Sequence, residues 1–334
     1  EIMVKNQTIE KSDMKSNFFL TSKSPAFRNT LDLCERVADS DAGVLLIGES
    51  GTGKEVAAKY IHACSSRRDK PFVAVNCSAY AETLLESELF GYEAGAFTGA
   101  DKSRIGRFEL ADHGTLFADE VGDVSISTQL KLLRSIETKS IERLGSNEQH
   151  HIEFRLISAT NRDLHNEILM KRFREDFFYR ISTIVIRIPP IRDRREDLPD
   201  MIHFFLEGSQ KENHRFIHTI EPKVWEFLMN YSYPGNVREM RNIIDRMVVL
   251  SQNGTISKDG LPVLFDMGKQ ETQESAAVDF EEIIPWRDFK QKSEKDYLKW
   301  VLEKMNGNVS DTARALGIST RQIFNKINEY GIKK

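Results

Sequence analysis

The run VLLIGESGTGKEVAAKYIHA restricts the possible folds of this chain more than any other stretch. An apolar, strand-like segment ends at Gly48, and a helix-patterned segment begins at Glu55. Between them Gly48, Glu49, Ser50, Gly51, Thr52, Gly53 and Lys54 make GxxxxGK in the strand–loop–helix context the motif requires. The glycines let backbone N–H groups turn inward around phosphate oxygens. The helix N-terminus adds a favourable dipole, and Lys54 places a point charge beside the β- and γ-phosphates. Glu55 stands where such loops usually carry Ser or Thr for Mg²⁺. The ion must then lean on another carboxylate, the phosphates and water.

A loop of this kind needs a parallel sheet, and the chain supplies one. The runs GVLLIG (43–48), PFVAVN (71–76), GTLFAD (114–119), FRLISAT (154–160) and TIVIRI (183–188) alternate with helix-patterned segments. Near-continuous apolar strands of this type predict an α/β domain, a parallel sheet with helices on both faces. After PPIRDRREDLP (189–199) the strands are expected to stop, and three helical segments predict a helical lid subdomain. The predicted divisions are a linker remnant at 1–17, the α/β ATPase subdomain at 18–190, the lid at 191–265, a linker at 266–284 and a small all-α unit at 285–334.

GTLFADE ends a strand on two carboxylates. Asp119 is placed to hold Mg²⁺, and Glu120 to polarise the attacking water. Such a pair implies hydrolysis rather than simple nucleotide binding. Thr160 and Asn161 end another strand and suit contact with the γ-phosphate or its water; Asn76 ends a third and can hold Glu120 by a hydrogen bond. In RFREDFFYRI, Arg174 and Arg180 are six residues apart, about 120° from one another on a helix. One of them can reach a neighbouring subunit's nucleotide, or both can pair with Glu175 or Asp176. Arg238, in YPGNVRE, either reports on the nucleotide from the lid or pairs with Glu239 or Asp245.

Charge is uneven. The net charge is −4, yet residues 286–334 carry 11 Lys/Arg against 6 Asp/Glu, a balance of +5 that leaves −9 on the rest. VSDTARAL, the turn Gly317-Ile318-Ser319 and TRQIFNKINEY predict a helix-turn-helix packed through Val309, Ala313, Leu316, Ile318, Ile323 and Ile327. Its second helix offers Thr320, Arg321, Gln322, Asn325 and Lys326 to double-stranded DNA, with Arg, Gln and Asn suited to base edges and Lys to phosphate. The stretch 286–305 leaves room for a dimerising helix. No apolar run approaches the ~18–20 residues that cross a bilayer, and no signal-peptide pattern opens the chain. A cytoplasmic protein without a membrane partner is expected. Cys34, Cys64 and Cys77 form no CxxC and read as reduced thiols. The eight histidines form no metal ladder, and the pair His150-His151 does not make one. The first residue is Glu1 rather than Met, the start expected of a piece of a longer protein.

One motif remains. GYEAGAFTGA (91–100) puts the large apolar ring of Phe97 on a backbone of Gly and Ala that has little to bury it. Such a segment suits a mobile probe better than a core. Taken in order, GESGTGKE, ELFGYEAGAFTGA, GTLFADE, FREDFFYR and YPGNVRE resemble the AAA+ domain of bacterial enhancer-binding proteins, which activate RNA polymerase carrying sigma-54. GNVSDTARALGIS is similar to their Fis-type DNA-binding domain, so the resemblance spans about 18–334. It implies that Gly95, Ala96, Phe97, Thr98, Gly99 and Ala100 form the loop that engages sigma-54. It further implies that Asp119 and Glu120 are the Walker B pair, that Thr160 and Asn161 lie in sensor I, that Arg174 and Arg180 are arginine-finger candidates and that Arg238 is sensor II. ATP with Mg²⁺, a ring that is usually a hexamer, and an inactive dimer are implied as well. Glu55 becomes a family trait. Two departures stand out: Ala118, where a larger apolar residue is commoner, which predicts looser packing behind Asp119, and Tyr233 in place of a common Trp. A repressor that uses DNA binding alone is disfavoured by the intact GAFTGA and Asp119-Glu120. A generic AAA+ unfoldase is disfavoured by the DNA-binding tail.

Overall fold

The structure, a computed structural model, describes residues 18–261, 285–305 and 307–331. The expected linkers at 1–17 and 266–284 lie outside the described residues. Contacts divide the chain into two units, Glu1–Val263 and Leu264–Lys334.

In the first unit, α1 (Pro25–Ala38) leads into β1 (Val44–Ile47), α2 (Lys54–Ala63) and β2 (Phe72–Asn76). Then come α3 (Glu82–Phe90), a short antiparallel pair β3 (Gly91–Tyr92) and β4 (Arg104–Ile105), and α4 (Arg107–Leu110). β5 (Thr115–Asp119) and α5 (Ile126–Thr138) precede a second hairpin, β6 (Ser140–Glu142) and β7 (Gln149–His151). β8 (Arg155–Thr160), α6 (Leu164–Leu169), α7 (Glu175–Ile181) and β9 (Ile184–Arg187) complete the sheet domain. Five strands form one parallel sheet in the order β2-β5-β8-β1-β9. All five fall on the apolar runs read from the sequence.

Each strand serves two cores because successive side chains point to opposite faces. Leu45 and Leu116 join one apolar cluster with α3 and α5; Val44, Leu46 and Phe117 join another with α1 and α2. One strand residue breaks the apolar pattern. Arg155 is 1 % exposed, and its guanidinium donates to the carbonyls of Val37 and Ala38, where a cation complements a helix C-terminus. Ala118 lines a small cavity with Leu116, Leu132, Ser158 and Phe177, and the Ser158 hydroxyl is buried there without a partner.

The lid is built from α8 (Leu198–Asn213), α9 (Pro222–Asn230) and α10 (Asn236–Leu250). The expectation that strands stop after 190 is corrected here: β10 (Thr219–Ile220) and β11 (Thr255–Ile256) pair in parallel. They are two residues each, too short for a periodic signal. Tyr233 is fully buried and donates its hydroxyl to the Leu228 carbonyl.

The second unit contains α11 (Trp286–Lys304), α12 (Val309–Leu316) and α13 (Thr320–Glu329). Asn308 caps α12, Gly317 ends it at φ 64°, and Ser319 with Gln322 forms a capping box for α13. Val309, Ala313, Ile323 and Ile327 are buried as expected, joined by Leu298, Leu302 and Tyr330. No described helix is long and apolar enough to cross a membrane.

Candidate nucleotide site and projecting hairpin

The loop between β1 and α2 is where a phosphate site belongs in a parallel sheet, at the carboxyl end of a strand and the N-terminus of a helix. Gly51 and Gly53 have φ of 77° and 102°, open to glycine alone without strain. A Cβ on Gly53 would meet nothing within 4 Å, which leaves its amide side open to a ligand. Thr52 is buried and turns its hydroxyl back to the Glu49 carbonyl at 2.8 Å. Lys54 is 6 % exposed; its ammonium donates to the Gly48 and Glu49 carbonyls and lies 3.6 Å from Glu120.

Glu120 has φ 54°, a left-handed conformation costly for a residue with a side chain. Its carboxylate is held between Lys54 and the Asn161 amide, which donates at 3.1 Å. The expected partner Asn76 does not fill this role: its carbonyl oxygen accepts from Ser78 N and Oγ and caps the turn Cys77–Ala79. Asp119 accepts from the Glu120 amide at 3.0 Å. Burial, with Glu120 beside it, raises the Asp119 pKa. A buried carboxylate crowded by a second one is a donor that a divalent cation relieves. Among the described residues no cluster of three or more His, Cys, Asp or Glu is grouped to hold a metal by itself. Thr160 is fully buried, and its hydroxyl accepts from the Arg162 amide rather than facing the loop.

Several loop residues serve the lid instead. Glu49 forms a two-point ion pair with Arg192 and accepts from the Asn236 side chain at 3.1 Å. Hydrogen bonds from Arg192 and Asn236 lower its pKa to about 2. Ser50 accepts from Arg238 at 3.1 Å. A Cβ on Gly51 would stand 2.3 Å from the Gly235 carbonyl, so the lid helix α10 seats directly on the loop. Arg238 therefore faces the loop, while Glu239 binds Gly235 N and Tyr231, and Asp245 pairs with Arg241. Glu55 spends its carboxylate on Lys59 at 2.7 Å. The sequence carried no signal for Arg192. Asn236 sat in PGN, the visible mark of a turn whose side chain proves to be fully buried and shared among Ile191, Glu49 and Ser50.

The arginine geometry needs one correction. Arg174 is the N-cap of α7 with extended backbone (φ −84°, ψ 136°), so the 120° helical angle to Arg180 does not apply. Arg174 pairs two-point with Asp176, and Arg180 donates to the Ile136 carbonyl. The Arg180 carbonyl lies against Gly43, which precedes β1, whereas the phosphate loop follows that strand. The four residues of β1 make five steps between those ends, about 16 Å. Arg180 therefore cannot reach the loop of its own subunit.

The GAFTGA residues form a tight hairpin tip above β3 and β4. Gly95 N donates to Ala100 O, Ala96 N to Glu93 O, and Ala100 N to Phe97 O. Gly95 and Gly99 have positive φ with open space around them. Phe97 is 46 % exposed and meets the Tyr92 ring edge-on, 5.0 Å between centroids. The tip is loose, but its base is tied. Arg143, in the loop between β6 and β7, bonds Glu93 at 2.8 Å and Glu109 at 2.6 Å. The Glu93 amide also donates to Leu144 O, and Leu144 N to Gly91 O.

On α13, Thr320, Arg321 and Asn325 are exposed. Two predicted contacts are committed elsewhere. The Gln322 amide oxygen accepts from Ser319 N, and Lys326 pairs with Glu294 of α11 at 2.5 Å.

Residues 20–187 match the Sigma-54 interaction domain family, 192–278 the AAA+ ATPase lid domain and 291–330 the bacterial regulatory protein, Fis family. The chain belongs to the sigma-54 interaction domain family. It is a AAA+ ATPase and a sigma-54-dependent transcriptional activator with a helix-turn-helix unit. Transcriptional regulatory protein ZraR of Salmonella typhimurium is 44 % identical over 313 residues, covering 94 % of this chain and 69 % of the relative. Regulatory protein AtoC of Escherichia coli is 42 % identical, covering 94 % and 68 %. The crystal structure of NtrX from Brucella abortus in complex with ADP aligns with a TM-score of 0.69 at 31 % identity, covering 96 % of this chain and 72 % of that one. Against this activator family, the tied base and loose tip of the hairpin become features with a use.

Proposed function

We propose that this activator binds ATP with Mg²⁺ on the loop 48–54, assembles as a ring, hexameric by family habit, and uses hydrolysis to drive the GAFTGA hairpin against sigma-54 in the polymerase closed complex. Asp119 holds the ion, which neutralises phosphate charge when bound. Glu120 takes a proton from the attacking water. For that it must leave Lys54, whose ammonium turns from the loop carbonyls to the phosphates. Asn161, which holds Glu120 through its amide, links the base to the sensor segment. Asn76 is a second hydrogen-bond partner for Glu120 in the nucleotide-bound state. Arg180 acts in trans because it is too far from its own loop, and Arg174 joins it once released from Asp176. Arg238 reads the nucleotide from the lid. A NtrX structure in complex with ATP, at 31 % identity, supports a nucleotide on this loop.

Thr320, Arg321 and Asn325 read enhancer DNA, with Gln322 offering its amide nitrogens and Lys326 joining after exchange from Glu294. α11 pairs two chains in the inactive dimer. The protein works in the cytoplasm, and its division at 18–190, 191–265 and 285–334 separates motor, lid and DNA-binding unit.

The observation that carries this reading is the hairpin itself: an exposed Phe97 on an open glycine tip, with its base clamped by Arg143 to the ATPase body. The test is promoter melting. The full chain, ATP, sigma-54 polymerase and a promoter bearing the chain's own binding site should give permanganate-reactive, open DNA. No opening under those conditions defeats the proposal.

A further inference from the structure

Beside the phosphate loop lies a narrow cleft between the segment before α1, α1 itself and the lid. Phe19, Leu31, Val56, Met201 and Val237 line it, and Thr52 and Gly53 of the loop share its wall. One charged residue intrudes. Arg194 is 2 % exposed, and its guanidinium sits 4.1 Å over the Phe27 ring. Its Nε and Nη1 are buried with no acceptor. Asp197, whose charge acts on it, spends its oxygens on Ser22 Oγ, Lys23 N and Ser24 N. Burial lowers the Arg194 pKa to about 10. A desolvated cation with idle donors is costly, and an acceptor brought into the cleft by a ligand would relieve it.

We infer that Arg194 reads the base of the bound nucleotide, donating to a ring nitrogen of adenine while the apolar walls cover the faces of the ring. The inference rests on the ATP site proposed above. Three points favour a base over any other occupant. Thr52 and Gly53 belong to both the phosphate loop and the cleft, so a nucleotide with its phosphates on the loop brings its base here. Apolar walls with one convergent polar group are what a flat heterocycle requires. The ring nitrogens of adenine accept and carry no charge, so they satisfy idle donors without adding an ion.

The test is a chemical double-mutant cycle on the full chain, read as Kd by calorimetry. Ligands are ATP, its 1-, 3- and 7-deaza analogues and inorganic triphosphate. The unaltered chain should lose about tenfold or more in affinity for one deaza analogue, the usual size of a hydrogen bond to a charged group. Arg194→Met should bind ATP that much more weakly, be indifferent to the same deaza change, and hold inorganic triphosphate within about twofold of the unaltered chain. A thermal melt without ligand should show the methionine variant as stable as the original or more so. Arg194→Gln replaces it should that variant lack a cooperative melt. Equal ATP affinity in variant and original overturns the inference, as does a parallel loss for ATP and inorganic triphosphate. Absence of ATP binding by the unaltered chain overturns this inference and the nucleotide-site reading together.

Discussion

Two glycine-rich loops in this chain look alike as strings and behave as opposites. GESGTGK and GAFTGA both alternate glycine with small or single large residues. In the first, the polar side chains are engaged: Lys54 with two carbonyls and Glu120, Glu49 with Arg192 and Asn236, Ser50 with Arg238, Thr52 with the Glu49 carbonyl. In the second, Gly95 and Gly99 border open space and Phe97 is held by one ring edge. Loop composition therefore does not set how firmly a loop is held. What sets it is whether a neighbouring layer covers the loop, and here the lid covers only one of them.

The largest expected effect breaks the first loop's chemistry and leaves its shape. Glu120→Gln should lower ATP turnover by at least about 10²-fold, the scale of a lost general base, with ATP affinity retained. Steady-state hydrolysis and a binding isotherm check this, and unchanged turnover removes Glu120 from the base role. Thr98→Ala addresses the second loop. ATPase activity should stay within about twofold because the open tip touches no group of the phosphate site, while capture of sigma-54 in the presence of a transition-state mimic should be lost. Normal capture contradicts the assignment of the tip.

A matched glycine pair sharpens the comparison directly. Gly51→Ala puts a Cβ against the Gly235 carbonyl on top of an unfavourable φ and should cost several kcal/mol, with lid and loop forced apart. Gly99→Ala has the same backbone problem in open space and should cost only about 1 kcal/mol. Urea melts of the two variants measure the gap; equal costs would mean the lid does not press on the loop. The smallest effect belongs to the hairpin base. Arg143→Ala strands Glu109, which is only 16 % exposed, and should lower stability by about 1–2 kcal/mol. It should also speed proteolytic cleavage within 93–103, where an unaltered digestion rate would show that the clamp does not hold the hairpin.

Legibility followed the range of the interaction. All five sheet strands, the lid helices and both helices of the helix-turn-helix stood in the sequence as periodicity and turn residues, whereas the Asn308 cap did not. The Lys54–Glu120 pair left no mark in the sequence, where the partner expected for Glu120 was Asn76. Other site features were invisible. The Glu49–Arg192 pair joins residues 143 positions apart, and Arg143 reaches back 50 positions to Glu93. Neither leaves a local pattern. Arg174 and Arg180 looked about 120° apart on one helix only because the sequence does not announce that Arg174 is an N-cap.

The amino-acid order by itself determined the family, the phosphate loop, the glycine-rich hairpin tip and the helix-turn-helix, because each is a short-range pattern enforced by backbone geometry. Tertiary structure alone decided which carboxylates hold the lid, which partner holds Glu120, that Lys326 faces α11 before it faces any DNA, and that Arg194 is buried with idle donors. These depend on side chains brought together by folding, where burial and mutual desolvation, rather than spacing along the chain, choose the partners.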